Sequence, residues 1–124
     1  MGGEGEGAAL VTSQPINFLA MLDAKAGMIA DPRHEICGKP LKGSVLVFPF
    51  AVGSSVGAYA IYSLSQYGNA PSAIVCSKAD ITTASGCAIA RIPVVDLPEN
   101  TPLSMLQGSI IAVSADAGKI TVKI

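Results

Sequence analysis

Gly43-Ser44-Val45-Leu46-Val47-Phe48-Pro49, followed closely by Gly53-Ser54-Ser55-Val56-Gly57-Ala58-Tyr59-Ala60-Ile61-Tyr62-Ser63-Leu64-Ser65-Gln66-Tyr67-Gly68, decides the fold. The first run is apolar, contains β-branched residues and is closed by a proline, which reads as a buried strand. In the second, Val56, Tyr59, Ala60 and Leu64 recur at spacings of three and four, so they mark one face of a helix. Ser54 or Ser55 is the natural N-cap, and Gly68 the natural stop beyond the C-terminus. Asn69-Ala70-Pro71 then turns the chain into Ala73-Ile74-Val75-Cys76, a second buried strand. Strand, helix and strand joined this briefly form a crossover unit, with the two strands parallel in one sheet.

Downstream, Thr82 to Ala90 is small and apolar, and is expected to form a short second helix with Ala84, Gly86 and Ala88 against the sheet. Ile92-Pro93-Val94-Val95-Asp96 is a further strand, and Pro98 to Gly108 is a loop with room for a one-turn helix. Ser109 to Val113 and Lys119 to Ile124 flank Asp116-Ala117-Gly118. The second of these runs alternates, with Ile120, Val122 and Ile124 on one face and Lys119, Thr121 and Lys123 on the other, as in a hairpin. Upstream, Ala8 to Thr12 reads as a short strand, Asp23 to Gly27 as a turn, and Asp31-Pro32-Arg33-His34 as a loop. Met1 to Gly7, glycine at every other position or more, reads as a flexible start. The expected whole is a single α/β domain over residues 1–124: a mixed sheet or flattened barrel with one principal helix and a short second helix.

Composition narrows the function. The chain is 50% hydrophobic and 14% charged, too apolar for a disordered segment. Its 13 glycines and 8 prolines interrupt it too often for a helical bundle. A net charge of −1 with no basic run argues against a nucleic-acid partner, which needs clustered Lys and Arg. No apolar run reaches the ~18 residues needed to span a bilayer, so no membrane partner is expected. The cysteines, Cys37, Cys76 and Cys87, are far apart, and His34 is the sole histidine. A structural zinc or iron–sulfur site needs locally clustered ligands, so no metal site is expected on this chain. The absence of a secretory signal at the start leads to an expected cytoplasmic location with free, mostly buried thiols.

The chemistry-bearing feature is the glycine- and serine-rich turn that opens the principal helix. A helix start offers unpaired N–H groups and the positive end of the peptide dipoles, which bind anions. A serine there can be a cap, a ligand for phosphate or carboxylate, or an activated oxygen. The turn is not a P-loop, lacking Gly-Lys-Ser/Thr. It is not a nucleophile elbow either, because the one histidine lies upstream in a loop. Gly57 in the first helical turns costs ~1 kcal/mol relative to Ala, which suits either a backbone approached by a ligand or close packing of helix on sheet. His34 is expected to be solvated. Arg33 and Arg91, the arginines of the chain, could each meet a carboxylate or phosphate, Arg91 more simply as a surface ion-pair partner.

Gly53 to Gly57, Gly68 to Ile74 and Gly86-Cys87-Ala88-Ile89-Ala90-Arg91-Ile92-Pro93 resemble the small subunit of the aconitase X group. Glu6-Gly7, Leu10-Val11-Thr12, Phe18-Leu19, Asp23, Gly27 and Asp116-Ala117-Gly118 extend the likeness over nearly the whole chain. The resemblance implies a swivelling β/β/α domain and a hydro-lyase subunit active only with a large subunit that carries an iron–sulfur cluster, with no cofactor on this chain. Archaeal members with a free-standing small subunit dehydrate (R)-5-phosphomevalonate to trans-anhydromevalonate 5-phosphate in a mevalonate route. A cis-3-hydroxyproline dehydratase subunit is the alternative within the group, and a non-catalytic swivelling interaction module the alternative outside it.

The resemblance further implies that Ser54 is the proton-abstracting base, with Ser55 in reserve, and that Gly53, Ser55 and Gly57 contact the substrate. As alkoxide, Ser54 would take the proton beside the carboxylate while iron accepts the departing hydroxyl as Lewis acid. Helix-start N–H groups would lower the cost of that charge. Val52 stands where many relatives carry a basic residue, so the large subunit or Arg33 is expected to supply the cation. Ala20-Met21 likewise stands in place of a Gly-Gly. The chain also starts later than typical relatives, implying a missing first strand and a sheet edge left bare or closed by a partner.

Overall fold

The computed structural model describes residues 3–98 and 100–123. Along the chain come β1 (Glu4–Val11), the one-turn helix α1 (Phe18–Met21), the short pair β2 (Leu22–Asp23) and β3 (Met28–Ile29), then β4 (Val45–Phe48). There follow α2 (Gly57–Gln66), β5 (Ala73–Cys76), α3 (Ile81–Ala90), β6 (Val94–Asp96), a 3₁₀ turn (Leu103–Leu106), β7 (Ile110–Ser114) and β8 (Lys119–Lys123). Six strands make one mixed sheet in the order β6-β5-β4-β1-β7-β8. β1, β4, β5 and β6 are parallel neighbours, with Leu10 opposite Leu46, Leu46 opposite Ile74, and Ile74 opposite Val94. β7 and β8 form the antiparallel hairpin that extends the sheet beyond β1.

Every residue of β4 and of β5 is buried. Both faces of these strands are covered, which is why their sequence is continuously apolar rather than alternating. Leu46, Phe48, Ile74 and Cys76 face a core that takes in Ile61 and Leu64 of α2, Cys87 of α3, and Ile16, Phe18 and Ile29. Phe18 meets Phe48 edge-on with ring centroids 5.5 Å apart. Val45, Val47 and Val75 face the opposite side, where the sheet curls until Val95 of β6 shares a core with Ile111 and Val113 of β7, covered by Leu106. Each such side chain contributes about 1.5–3 kcal/mol on burial, and the two cores together fix the curl.

Several expectations are corrected. Glu4 to Gly7 is not a flexible start but strand, paired residue for residue with Ser114 to Ile111. The glycines there answer a steric demand: a Cβ on Gly5 would lie 2.0 Å from the Ser72 carbonyl oxygen, and one on Gly7 2.2 Å from that of Gly43. β1 occupies the middle of the sheet, between β4 and β7. The buried face of α2 is Gly57, Ala58, Ile61 and Leu64, whereas Val56 and Tyr59 are exposed. α3 packs its Gly86 on Ile61 of α2, while Ala88 is exposed rather than laid on the sheet. Val122 in the edge strand β8 is exposed, so its alternation carries less burial than its pattern promises; the expectation for Ile124 lies outside the described residues. Gly68 does end α2, at φ +72°. Asn69 N–H donates to Leu64 O (2.8 Å) and Gly68 N–H to Ser65 O (3.1 Å), the paired bonds of a Schellman stop.

Candidate functional site

The four parallel strands present their carboxyl ends to one edge, the edge outside which open α/β sheets bind ligands. The loop from β4 to α2 emerges there and is held from both sides. Ile16 N–H donates to Phe50 O (3.2 Å) and Val52 N–H donates to Ile16 O (3.0 Å). Across the loop, Ser77 and Lys78 N–H both donate to Pro49 O, at 3.0 and 3.1 Å. Gly53 turns the chain at φ +93°, where a Cβ would lie 2.5 Å from the Asn17 side-chain nitrogen. Glycine is the residue that this turn admits.

Ser54 and Ser55 follow, both exposed. The helix does not begin with either. α2 starts at Gly57 behind Val56, and no side chain caps it. Ser54 instead closes a local turn: its Oγ accepts from Val56 N–H at 3.1 Å. The Ser54, Ser55 and Val56 carbonyls take the N–H groups of Gly57, Ala58 and Tyr59 at 2.9, 3.1 and 3.0 Å. The first donors of the helix are therefore spent within the turn. The N–H groups of Gly53, Ser54 and Ser55 find no acceptor among the described residues. Gly57 itself is buried, its Cα facing Thr82, Phe18 and the Leu19 backbone. Close packing of α2 on α1 and α3 explains that glycine without a ligand.

Large apolar side chains stand exposed on the elements that meet at Gly57: Leu19 on α1, Val52 and Val56 on the loop, Tyr59 (65% exposed) on α2, and Ile81 (80%) on α3. Beside them lies a cleft of about 380 Å³ whose lining includes Gln14, Pro15, Asp31, Arg33, His34 and Val52. Arg33 therefore opens onto the same cleft as Val52. Its guanidinium grips Asp31, Nε at 3.2 Å from Oδ1 and Nη2 at 3.1 Å from Oδ2. That pairing holds the Asp31 carboxyl below the ordinary carboxylate range and raises Arg33 above its own.

His34 is not solvated but 7% exposed. Its Nε2 lies 3.1 Å from Pro15 O and its Nδ1 3.3 Å from Ile36 N. The neutral tautomer with its proton on Nε2 satisfies both contacts. Glu35 carried no signal in the sequence, because its partners are 21 to 23 residues away. Its carboxylate accepts from the Thr12 hydroxyl, from Ser13 N–H and, at 3.2 Å, from the Ser13 hydroxyl. Those bonds, Thr12 first, hold its carboxyl below the ordinary range. Arg91 ends α3 in the left-handed conformation, φ 59°, and pairs with no carboxylate among the described residues. Cys76 and Cys87 are buried, and burial pushes both thiols up to about 12. Among the described residues no group of three or more His, Cys, Asp or Glu could hold a metal ion, and no helix is long and apolar enough to cross a membrane.

A small curled α/β domain that lifts a hydroxyl above its sheet edge on a pinned loop has the build of a swivelling domain from an aconitase-like enzyme. A family model described as the aconitase X swivel domain matches residues 1–122, and the chain belongs to that family. It is 39% identical to the phosphomevalonate dehydratase small subunit of Methanothermobacter thermautotrophicus, over 95% of this chain and 91% of that one. The protein of the same name from Thermococcus sibiricus is 41% identical, over 98% of this chain and 92% of its own. The crystal structure of Thermococcus kodakaraensis aconitase X in its holo-form superposes with a TM-score of 0.92 at 36% identity, covering 99% of this chain and 92% of that chain.

Proposed function

We propose that this chain is the small subunit of a phosphomevalonate dehydratase, a hydro-lyase active with a large subunit, and that Ser54 is its base. The observation that carries the reading is an exposed hydroxyl on an otherwise fixed loop, accepting one backbone N–H and flanked by further donors without protein partners. The substrate of the relatives' reaction is (R)-5-phosphomevalonate. Ser54 Oγ, as alkoxide, takes the proton from the carbon beside the carboxylate, the C–H electrons form the new double bond, and the neighbouring hydroxyl departs with its C–O electron pair. The proton now on Ser54 passes to it, so that water leaves and the alkoxide is restored. An iron–sulfur cluster on the large subunit would supply Lewis-acid chemistry for that departure. Among the described residues no group of three or more His, Cys, Asp or Glu could hold such a cluster on this chain.

The burden on this chain is to make a serine oxygen basic. Val56 N–H, aimed at Oγ, stabilises the charged form of that oxygen, and the positive end of α2 adds to it. Gly53 and Ser55 N–H remain free to receive substrate oxygens. Arg33, exposed on the adjoining cleft, would meet a phosphate or carboxylate there in exchange for Asp31, its present partner. The exposed Leu19, Val52, Val56, Tyr59 and Ile81 form the apolar rim that the large subunit covers, which excludes water and strengthens these interactions.

Co-expression with the large subunit and assay on phosphomevalonate and on cis-3-hydroxyproline tests the reading. Phosphomevalonate is expected to turn over. Ser54→Ala is expected to keep the two chains together while turnover falls by about 1,000-fold or more, the scale set by loss of a catalytic proton-transfer group. Turnover within a few-fold of the parent would return Ser54 to a turn-forming role, as in a non-catalytic swivelling module.

A further inference from the structure

We propose that His34 and Glu35 are positioning residues for Ser54, acting through the segment from Thr12 to Asn17; the proposal rests on Ser54 being the base. Apart from an isolated bridge between Ala51 and Ile16, the loop from Ala51 to Val56 belongs to no helix or strand, and on the side away from Ser77 and Lys78 it is that neighbouring segment that places it. Ile16 bonds it twice, receiving Val52 N–H (3.0 Å) and donating to Phe50 O (3.2 Å). The Asn17 side chain lies against Gly53 and is itself fixed by accepting Ala20 N–H at 3.1 Å.

The segment from Thr12 to Asn17 is irregular too, since β1 ends at Val11. His34 and Glu35 hold it at successive points. The Glu35 carboxylate gathers the Thr12 hydroxyl, Ser13 N–H and the Ser13 hydroxyl, while Gln14 Oε1 accepts Glu35 N–H at 2.8 Å. His34 Nε2–H donates to Pro15 O at 3.1 Å. Proline has no N–H, so that carbonyl is the one backbone group by which residue 15 can be held. The clamp is seated in turn: Cys37 N–H donates to His34 O and Gly38 N–H to Ile29 O, both at 3.0 Å, and Ile36 is buried. From carboxylate to hydroxyl the connection is therefore continuous: Glu35 and His34, residues 12 to 17, then Gly53 and Ser54. A base must stand within a fraction of an ångström of the proton it takes, and a misplacement of about 1 Å can cost about 100-fold.

The test uses the two-chain enzyme with (R)-5-phosphomevalonate. Glu35→Ala and His34→Leu are expected to lower kcat by about 10- to 100-fold with KM within about threefold, the signature of a displaced reacting group rather than lost binding. Glu35→Gln keeps an acceptor oxygen, and His34→Gln keeps an N–H that reaches Pro15 O. Both are expected to recover most of the rate. Amide hydrogen exchange on the full chain reads the coupling without turnover. In the Ala and Leu variants Val52 N–H is expected to exchange at least about tenfold faster, while Leu46 and Ile74 in the central strands keep their protection. Unchanged kcat together with unchanged Val52 exchange overturns the proposal. So does exchange that accelerates equally in the strands, because that reports general destabilisation. Ser54→Ala run in parallel separates the two readings. If it is inactive while the His34 and Glu35 variants work normally, this proposal alone falls; if it is active, the base assignment falls and this proposal with it.

Discussion

Gly5 and Gly7 look like slack in the sequence and are tightly constrained in the fold. Neither has a positive φ, so backbone freedom is not their purpose. They leave room for the carbonyls of Ser72 and Gly43, which pass where their Cβ atoms would stand. Gly7→Ala is expected to destabilise the chain by at least about 3 kcal/mol, at the upper end of the range for overpacking, since the blocking atom is backbone. Urea unfolding measures it. A change under about 0.5 kcal/mol, the size of an ordinary surface substitution, would mean that β1 can slide aside. The same scale explains why the role of Ser54 in its turn was misjudged. A serine cap is read as standing directly before the first helical residue, but this hydroxyl bonds Val56 N–H ahead of a helix that starts only at Gly57.

Between the helices, Gly86 sets how closely α3 lies on α2. A Cβ there would stand 2.9 Å from Ile61 Cβ and 3.0 Å from the Ala58 carbonyl oxygen. Helix propensity alone favours Ala over Gly by about 1 kcal/mol. The clash outweighs it, and Gly86→Ala is expected to lower stability by about 1–3 kcal/mol in thermal or urea unfolding. A gain would show that the helices can part without loss. At this scale the sequence was most informative where local pattern and tertiary context agree. β4, α2, β5, α3 and the β7–β8 hairpin were all legible, because continuous apolar runs, Gly68 and the Asp116-Ala117-Gly118 turn state their roles locally. The inward face of α2 was not. Tyr59 and Val56 fit the helical period as well as Ala58 and Ile61 do, and only the position of α1 and α3 decides between them. His34 and Glu35 were illegible as a clamp for the same reason: their partners, Thr12 to Pro15, are remote in sequence.

For the molecule as a whole, two thiols in the shared core link stability to alkaline pH. Cys76 and Cys87 have an ordinary value of 9.0, which burial pushes up to about 12. Between those values the unfolded chain has released protons that the folded chain still holds, so the unfolded side gains as pH rises. The thiols' contribution is fully present below pH 9.0 and is lost through about 12. Stability measured across that window is expected to fall, and to fall less steeply in Cys76→Ala/Cys87→Ala. Equal slopes would assign the decline to other groups.

The placement of β1 governs how this chain comes together. Residues 4–11 must find residues 45–47 on one side and residues 110–114 on the other before the middle of the sheet is closed. During synthesis that strand leaves the ribosome long before its far neighbour exists, and pairings so distant are slow to form. Until the β7–β8 hairpin arrives, a nascent chain carries an open strand flank at Glu4 to Ala8 whose unpaired backbone groups are prone to pair with other chains. Any shortening that removes the hairpin would turn β1 from a central strand into a permanently bare edge.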